Sequence, residues 1–128
     1  MSPFRARIEE LADDALVVVR GGGLDTVTIR SDASAAAARF GEHGISVFSA
    51  VDETTLDALA RDRLAQFDIL VLMTAGAIRG AGLELRPTFR RPHYTIMLPD
   101  LDRDIERLVA CDNVRMTNPH HVRSEEER

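Results

Sequence analysis

Three short runs of aliphatic and branched residues, at 15–20, 45–49 and 68–74, alternate with stretches of helical character, and this alternation leaves few folds open. The first run holds three consecutive valines, Val17, Val18 and Val19, and shows no polar alternation. A continuous branched run bounded by turn residues predicts a strand covered on both faces. Glycines 21–23 then break the chain. The alanine-rich stretch that follows has high helix propensity, starts from a cap at Ser31 or Asp32, and stops at Gly41 and Gly44. After the second run, Asp52 caps a helix whose apolar stripe is Leu56, Leu59, Ala60, Leu64 and Phe67. The β-α-β-α-β order predicts an α/β (or α+β) fold built on one parallel or mixed sheet of about five strands with helices packed on it.

Beyond Gly76 the pattern changes. A short Ala-Gly-rich turn carrying Ile78 leads into two alternating segments, 83–86 and 93–98, which read as an antiparallel pair. Leu83, Leu85, Tyr94, Ile96 and Leu98 point inward on this reading, with Glu84, Arg86, His93, Thr95 and Met97 outward. The connection 87–92 has a proline at each end and is longer than a tight hairpin turn, so it should project as a shaped loop. Asp100 caps a last helix with Leu101, Ile105, Leu108 and Val109 on one face. At the other end, Phe4, Ile8, Leu11 and Ala12 recur at helical spacing and predict a short amphipathic helix over 3–12. A chain of 128 residues suits one domain, expected over 1–122, with 123–128 as a charged, disordered tail.

Charge and cysteine content narrow the function classes. The longest apolar run, 69–77, is less than half a membrane span. The N-terminus meets Glu9 and Glu10 before any apolar run, so a cytoplasmic protein is expected. A formal charge of −5 argues against non-specific DNA binding, which needs a basic face. All 16 basic side chains are arginine, whose planar fork suits carboxylate or phosphate better than a lysine does. Cys111 stands alone, which excludes an internal disulfide, makes a poor zinc site and suggests a small apolar filler on a helix.

Candidate chemistry falls in three places, and the enzyme readings they support need no metal. Arg20, Gly21 and Gly22 end the first buried run, where glycines permit close backbone approach and the arginine can hold a phosphate; the spacing is neither a dinucleotide fingerprint nor a P-loop. The plainer reading is a flexible strand exit. The outward face of the late hairpin gathers Glu84, Arg86, His93 and Thr95 near Arg90 and Arg91, a set that could supply a base, an acid and charge stabilisation. The plainer reading there is ordinary cross-strand charge pairing. Asn118, His120 and His121 could be metal ligands or part of a site closed by the C-terminal segment, a weaker signal since adjacent histidines share no face and the nearest acids are in the tail. His43 reads as a turn residue. Ser46 and Ser49 lack the elbow of a serine hydrolase, and Asp112 beside Cys111 disfavours a thiolate nucleophile.

The layout of 15–65, with an arginine closing the first strand, a helix, the strand Gly-Ile-Ser-Val-Phe-Ser and a second helix starting near Thr54, resembles the first half of small ADP-ribosyltransferase-fold toxins, including the RES-domain type. The resemblance implies NAD as cofactor, gripped by Arg20 with Ser46 or Ser49 orienting the nicotinamide ribose and Glu84 stabilising an oxocarbenium-like state. It also implies a place in a toxin–antitoxin or defence module with a neighbour-encoded partner. The residues themselves support two other readings. One is a metal-independent ribonuclease using His93 with Arg86, Arg90 or Arg91 on the phosphate. The other is a non-catalytic binding or homo-oligomeric module whose interface is the arginine loop and the hairpin edge.

Overall fold

The computed structural model describes residues 11–19 and 24–122. Most of the expected helix over 3–12, the glycines 21–23 and the tail 123–128 lie outside these residues. In chain order the elements are β1 (Leu16–Val19), α1 (Thr26–Phe40), β2 (Gly44–Ala50), α2 (Glu53–Asp62), β3 (Ile69–Thr74), α3 (Ala75–Gly80), β4 (Glu84–Pro87), β5 (His93–Met97), α4 (Leu101–Val109) and β6 (Val114–Thr117). The strands form one sheet in the order β4-β5-β2-β1-β3-β6.

The fold is α/β, as expected, but the sheet is neither parallel nor mixed: all five strand pairings are antiparallel. The reason lies in strand order. β1 sits between β2 and β3 and pairs with both, so α2 carries the chain over β1 and its two flanking strands never touch. Alternating element types announce helical connections without saying which strands become neighbours. The sheet also has six strands where about five were expected. β6 escaped notice because it is only four residues long and mostly exposed, as befits a short edge strand.

Both faces of the sheet are covered. On one, Val17, Val19, Val47, Val71 and Ile96 pack against Ile29 and Ala33 of α1, Ile78 of α3 and Ile105 and Leu108 of α4. On the other, Val18, Phe48, Ala50 and Leu70 pack against Leu59 and Ala60 of α2. The three valines of β1 are at most 4% exposed, in line with a strand buried on both sides.

Local chemistry sets the helix ends. α1 begins earlier than its alanine-rich stretch suggests because Asp25, not Ser31 or Asp32, is the cap, accepting from the Thr28 amide at 2.8 Å. Its end at Gly41 needs φ +86, and the Gly41 amide closes the last turn on Ala37 O. α2 starts at the expected cap, Asp52, but ends at Asp62, with Leu64 and Phe67 packing beyond it. That turn is held from outside. The buried Asn118 side chain donates to the carbonyls of Ala60, Leu64 and Phe67 at 3.2, 2.9 and 3.1 Å, and its Oδ1 accepts from the His120 amide. One asparagine thus satisfies the open end of α2 and fastens the C-terminal segment to it.

Two predictions follow from these helix ends. Asn118→Ala should lower unfolding free energy by about 2–3 kcal/mol, because it strands buried carbonyls; a urea titration showing no loss would remove Asn118 from this role. Burial pushes the Asp104 carboxyl up, but bonds from Arg103 and the Asp100 amide, with the Arg107 charge, hold it below its ordinary 3.8. A lowered carboxylate stabilises the fold above its unfolded value and stops doing so as pH falls through the folded one. Asp104→Asn should therefore melt lower than the wild type at pH 7, with the gap closing below about pH 4. A gap that persists in acid would show that packing, not charge, is responsible.

Candidate functional site

The register of the β4-β5-β2 half of the sheet decides which side chains meet. Arg86, Thr95 and Ser46 are in line across three strands, Glu84 is in line with Met97 and Gly44, and His93 faces Phe48. Since side chains two apart share a face, Glu84, Arg86, His93, Thr95 and Ser46 all lie on the side where α2 packs. Ser49 is an odd number of residues from Ser46 and points to the opposite side, while its amide donates to Pro92 O.

The expectation that Thr95 and Met97 face outward is overturned: they are 1% and 3% exposed. For Thr95 the cause is the loop after β4, which folds back over this face. Thr88 is fully buried, and its Oγ1 lies 2.7 Å from Thr95 Oγ1 and 2.9 Å from His93 Nδ1. Gly44 admits the Thr95 methyl from the other side, since a Cβ there would sit 2.6 Å from Thr95 Cγ2. Thr95 is therefore a supporting residue inside the loop's base, out of reach of a ligand.

Arg86 and Glu84 meet as expected, and they meet each other. The guanidinium donates to both Glu84 oxygens at 2.9 Å and to Glu42 at 3.1 Å. Its hydrogen bond to Glu84 raises the Arg86 pKa further, against the opposing effect of burial and with the Glu42 charge assisting. Sequence reasoning missed Glu42, which precedes His43 in the turn before β2. A cleft of about 350 Å³ opens beside the trio, lined in part by His43, Glu42 and Glu84.

His93 is half-buried and stacked by its edges between two rings, Phe48 at 5.5 Å and Phe89 at 4.9 Å. Phe89 in turn leans on Phe40 at 5.8 Å, and Arg39 lies over Phe40 at 5.3 Å. This ring cluster borders the larger groove of this half, about 510 Å³, between the C-terminal half of α1, the start of β2 and the loop. Ala35, Ala36, Arg39, Phe40, Ser46 and Phe89 are among its lining residues. Phe89 stands out within it, with φ +56 and 45% of its surface exposed. The two prolines enclosing Thr88-Phe89-Arg90-Arg91 are the sequence signal for this loop; nothing in the sequence pairs Phe89 with α1.

Other candidates fall elsewhere. Arg90 and Arg91 are exposed on the same loop. Arg20, Gly21 and Gly22 lie outside the described residues, beyond Val19, which pairs with Val47. His120 binds Asp57 of α2 at 2.7 Å, so its acidic partner comes from a helix and not from the tail, and His121 hydrogen-bonds Ala65 O. Cys111 sits just past α4, 8% exposed, its thiol pushed up by burial and by Asp112, which fits a filler. Among the described residues, no three His, Cys, Asp or Glu side chains come together as metal ligands would, and no helix is long and apolar enough to cross a membrane.

Compared with protein-family models, curated proteins and solved structures, the chain matches none.

The loop's base can be tested through Thr88. Thr88→Val should cost about 1–3 kcal/mol, because the buried Thr95 hydroxyl loses its partner, and Thr88→Val with Thr95→Val should recover most of that loss. Additive losses in a double-mutant cycle would mean the two hydroxyls are not coupled.

Proposed function

We propose that the protein is a binding module rather than a catalyst, and that the groove between α1 and the loop of residues 88–92 is its contact surface. The observation that carries this reading is the commitment of the polar side chains that sequence reasoning singles out for chemistry on this half of the sheet. Both Glu84 oxygens are taken by Arg86, Arg86 is shared with Glu42, and His93 is stacked between rings with Nδ1 at the Thr88 hydroxyl. A general base needs a reachable lone pair, and an anion-stabilising arginine needs open donors. What the surface offers instead is an exposed ring beside small residues and arginines, which is the composition of a recognition site. A neighbour-encoded protein or a second copy of the chain is the kind of partner this reading expects.

NAD chemistry is the second reading, and one observation favours it: Ser46 lines the groove next to the strand end from which the chain runs on to Arg20. Against it, Glu84 lies on β4, with β5 between it and Ser46.

The two are separated by turnover. Purified protein should leave NAD and RNA intact over hours, followed by nicotinamide release and by gel. Consumption of NAD that disappears in Arg20→Ala and Glu84→Gln, or RNA cleavage that disappears in His93→Ala, would overturn the binding reading.

A further inference from the structure

Building on the binding reading, we infer that the partner is a second copy of the chain, docked through α1 in a two-fold antiparallel helix pair that sets Asp32 of each copy against Arg39 of the other. The charges carry the argument. Asp32 and Arg39 lie two turns apart on one flank of α1, and both line the groove. About 10 Å of helix separates them, too far for a salt bridge between the two. Neither has an ion-pair partner among the described residues, whereas Arg30 of the same helix is paired with Asp102. A balanced pair of this kind gives a purely acidic or a purely basic ligand one attraction and one repulsion. A second α1 gives two attractions.

Shape agrees with charge. In an antiparallel pair related by a two-fold axis, a residue of one helix faces a second residue of the other, and that second residue faces the first in return. An axis passing between Ala35 and Ala36 brings Asp32 opposite the partner's Arg39, Arg39 opposite the partner's Asp32, and the alanines opposite each other. The midpoint of the charges is thus the midpoint of the alanines. Side chains this small let two helices approach to about 8 Å, the short end of helix packing distances. Ala35 is exposed and Ala36 half-buried, and the groove of about 510 Å³ beside them gives the flank of the partner's helix a place to sit. Phe89 adds apolar surface at the end of the strip. It lines the groove with 45% of its surface exposed and leans on Phe40, whose counterpart under this axis is the partner's exposed Ser31. The 15 residues of α1 span about 22 Å, so the contact is at the small end of specific interfaces and should form at roughly tens to hundreds of micromolar.

The test is sedimentation velocity on the full chain between about 10 µM and about 1 mM, across which the wild type should pass from monomer to dimer. Asp32→Arg and Arg39→Glu each set like charges opposite each other twice in the dimer. Each should weaken it by about tenfold or more while melting close to the wild type when dilute. An equimolar mixture of these two variants restores opposite charges at both contacts, and should form a mixed dimer about as tightly as the wild type. Ala35→Gln, a good helix former at an exposed position, should weaken the dimer by about tenfold because it holds the helices apart. A wild type that stays monomeric at about 1 mM, a dimer that survives either charge reversal, or two variants that fail to recombine would each overturn the proposal. NAD or RNA turnover would instead overturn the binding reading beneath it. A monomer that turns over neither leaves that reading standing, so the two failures are told apart.

Discussion

The burial of β1 between two strands and two helical layers is the constraint on which the other elements depend. Its valines fill both sides of the sheet at once, Val18 toward α2 and Val17 and Val19 toward α1, α3 and α4. Burying a valine fully is worth about 1.5–3 kcal/mol, so three in succession favour a central position strongly over an edge. Once β1 is central, β2 and β3 must flank it, and the helices that follow each of them are assigned to layers by where the chain has to return. The edges then fall to the segments least able to fill a core: β4, with Glu84, Arg86 and a closing proline, and the mostly exposed β6.

The same register builds the surface that the proposed function uses. Because β2 is third in the sheet and β5 lies beside it, Ser46, Thr95 and Arg86 form a row across three strands, and the loop leaving β4 has a hydroxyl to grasp at once. Thr88 on Thr95 and His93 anchors the loop's root, and the backbone reversal that follows turns Phe89 away from the sheet toward Phe40. The Arg86 trio lies one residue pair along the same strands and ties the β4 edge to the turn before β2. On the proposed reading, the polar side chains that look catalytic in a list of residues frame an exposed aromatic side chain.

How far the sequence speaks for itself differs between elements. The valine run, the β5 segment and the caps at Asp52 and Asp100 are legible because each rests on an interaction a few residues long. Strand direction is not, since it depends on which distant segment occupies the neighbouring place. α1 shows the intermediate case: Thr26, Val27, Thr28 and Ile29 are poor helix formers, and only the Asp25 cap with the packing of Ile29 brings them into the helix. At the site, the shared face of Glu84 and Arg86 is readable from hairpin alternation. The burial of Thr95 was not, because alternation presumes an open outer face and the covering came from the loop itself. Asn118 is the extreme example, a surface-type residue 51 positions or more from the carbonyls it satisfies.

This pattern bears on how the groove should behave. Its floor belongs to α1 and β2, elements held by the core, whereas its outer wall is one loop whose root is fixed by a few hydrogen bonds and ring contacts. A surface of that kind meets a partner with little rearrangement of its floor and some adjustment of its wall, as is common where loops on a rigid scaffold do the recognising. Affinity then depends on how well Phe89 is preorganised, because the energy that holds it at positive φ is spent in folding and need not be supplied on contact. On the proposed reading, the hydroxyl pair beneath the loop and the arginine trio beside it set binding strength indirectly, through the ring they help to hold.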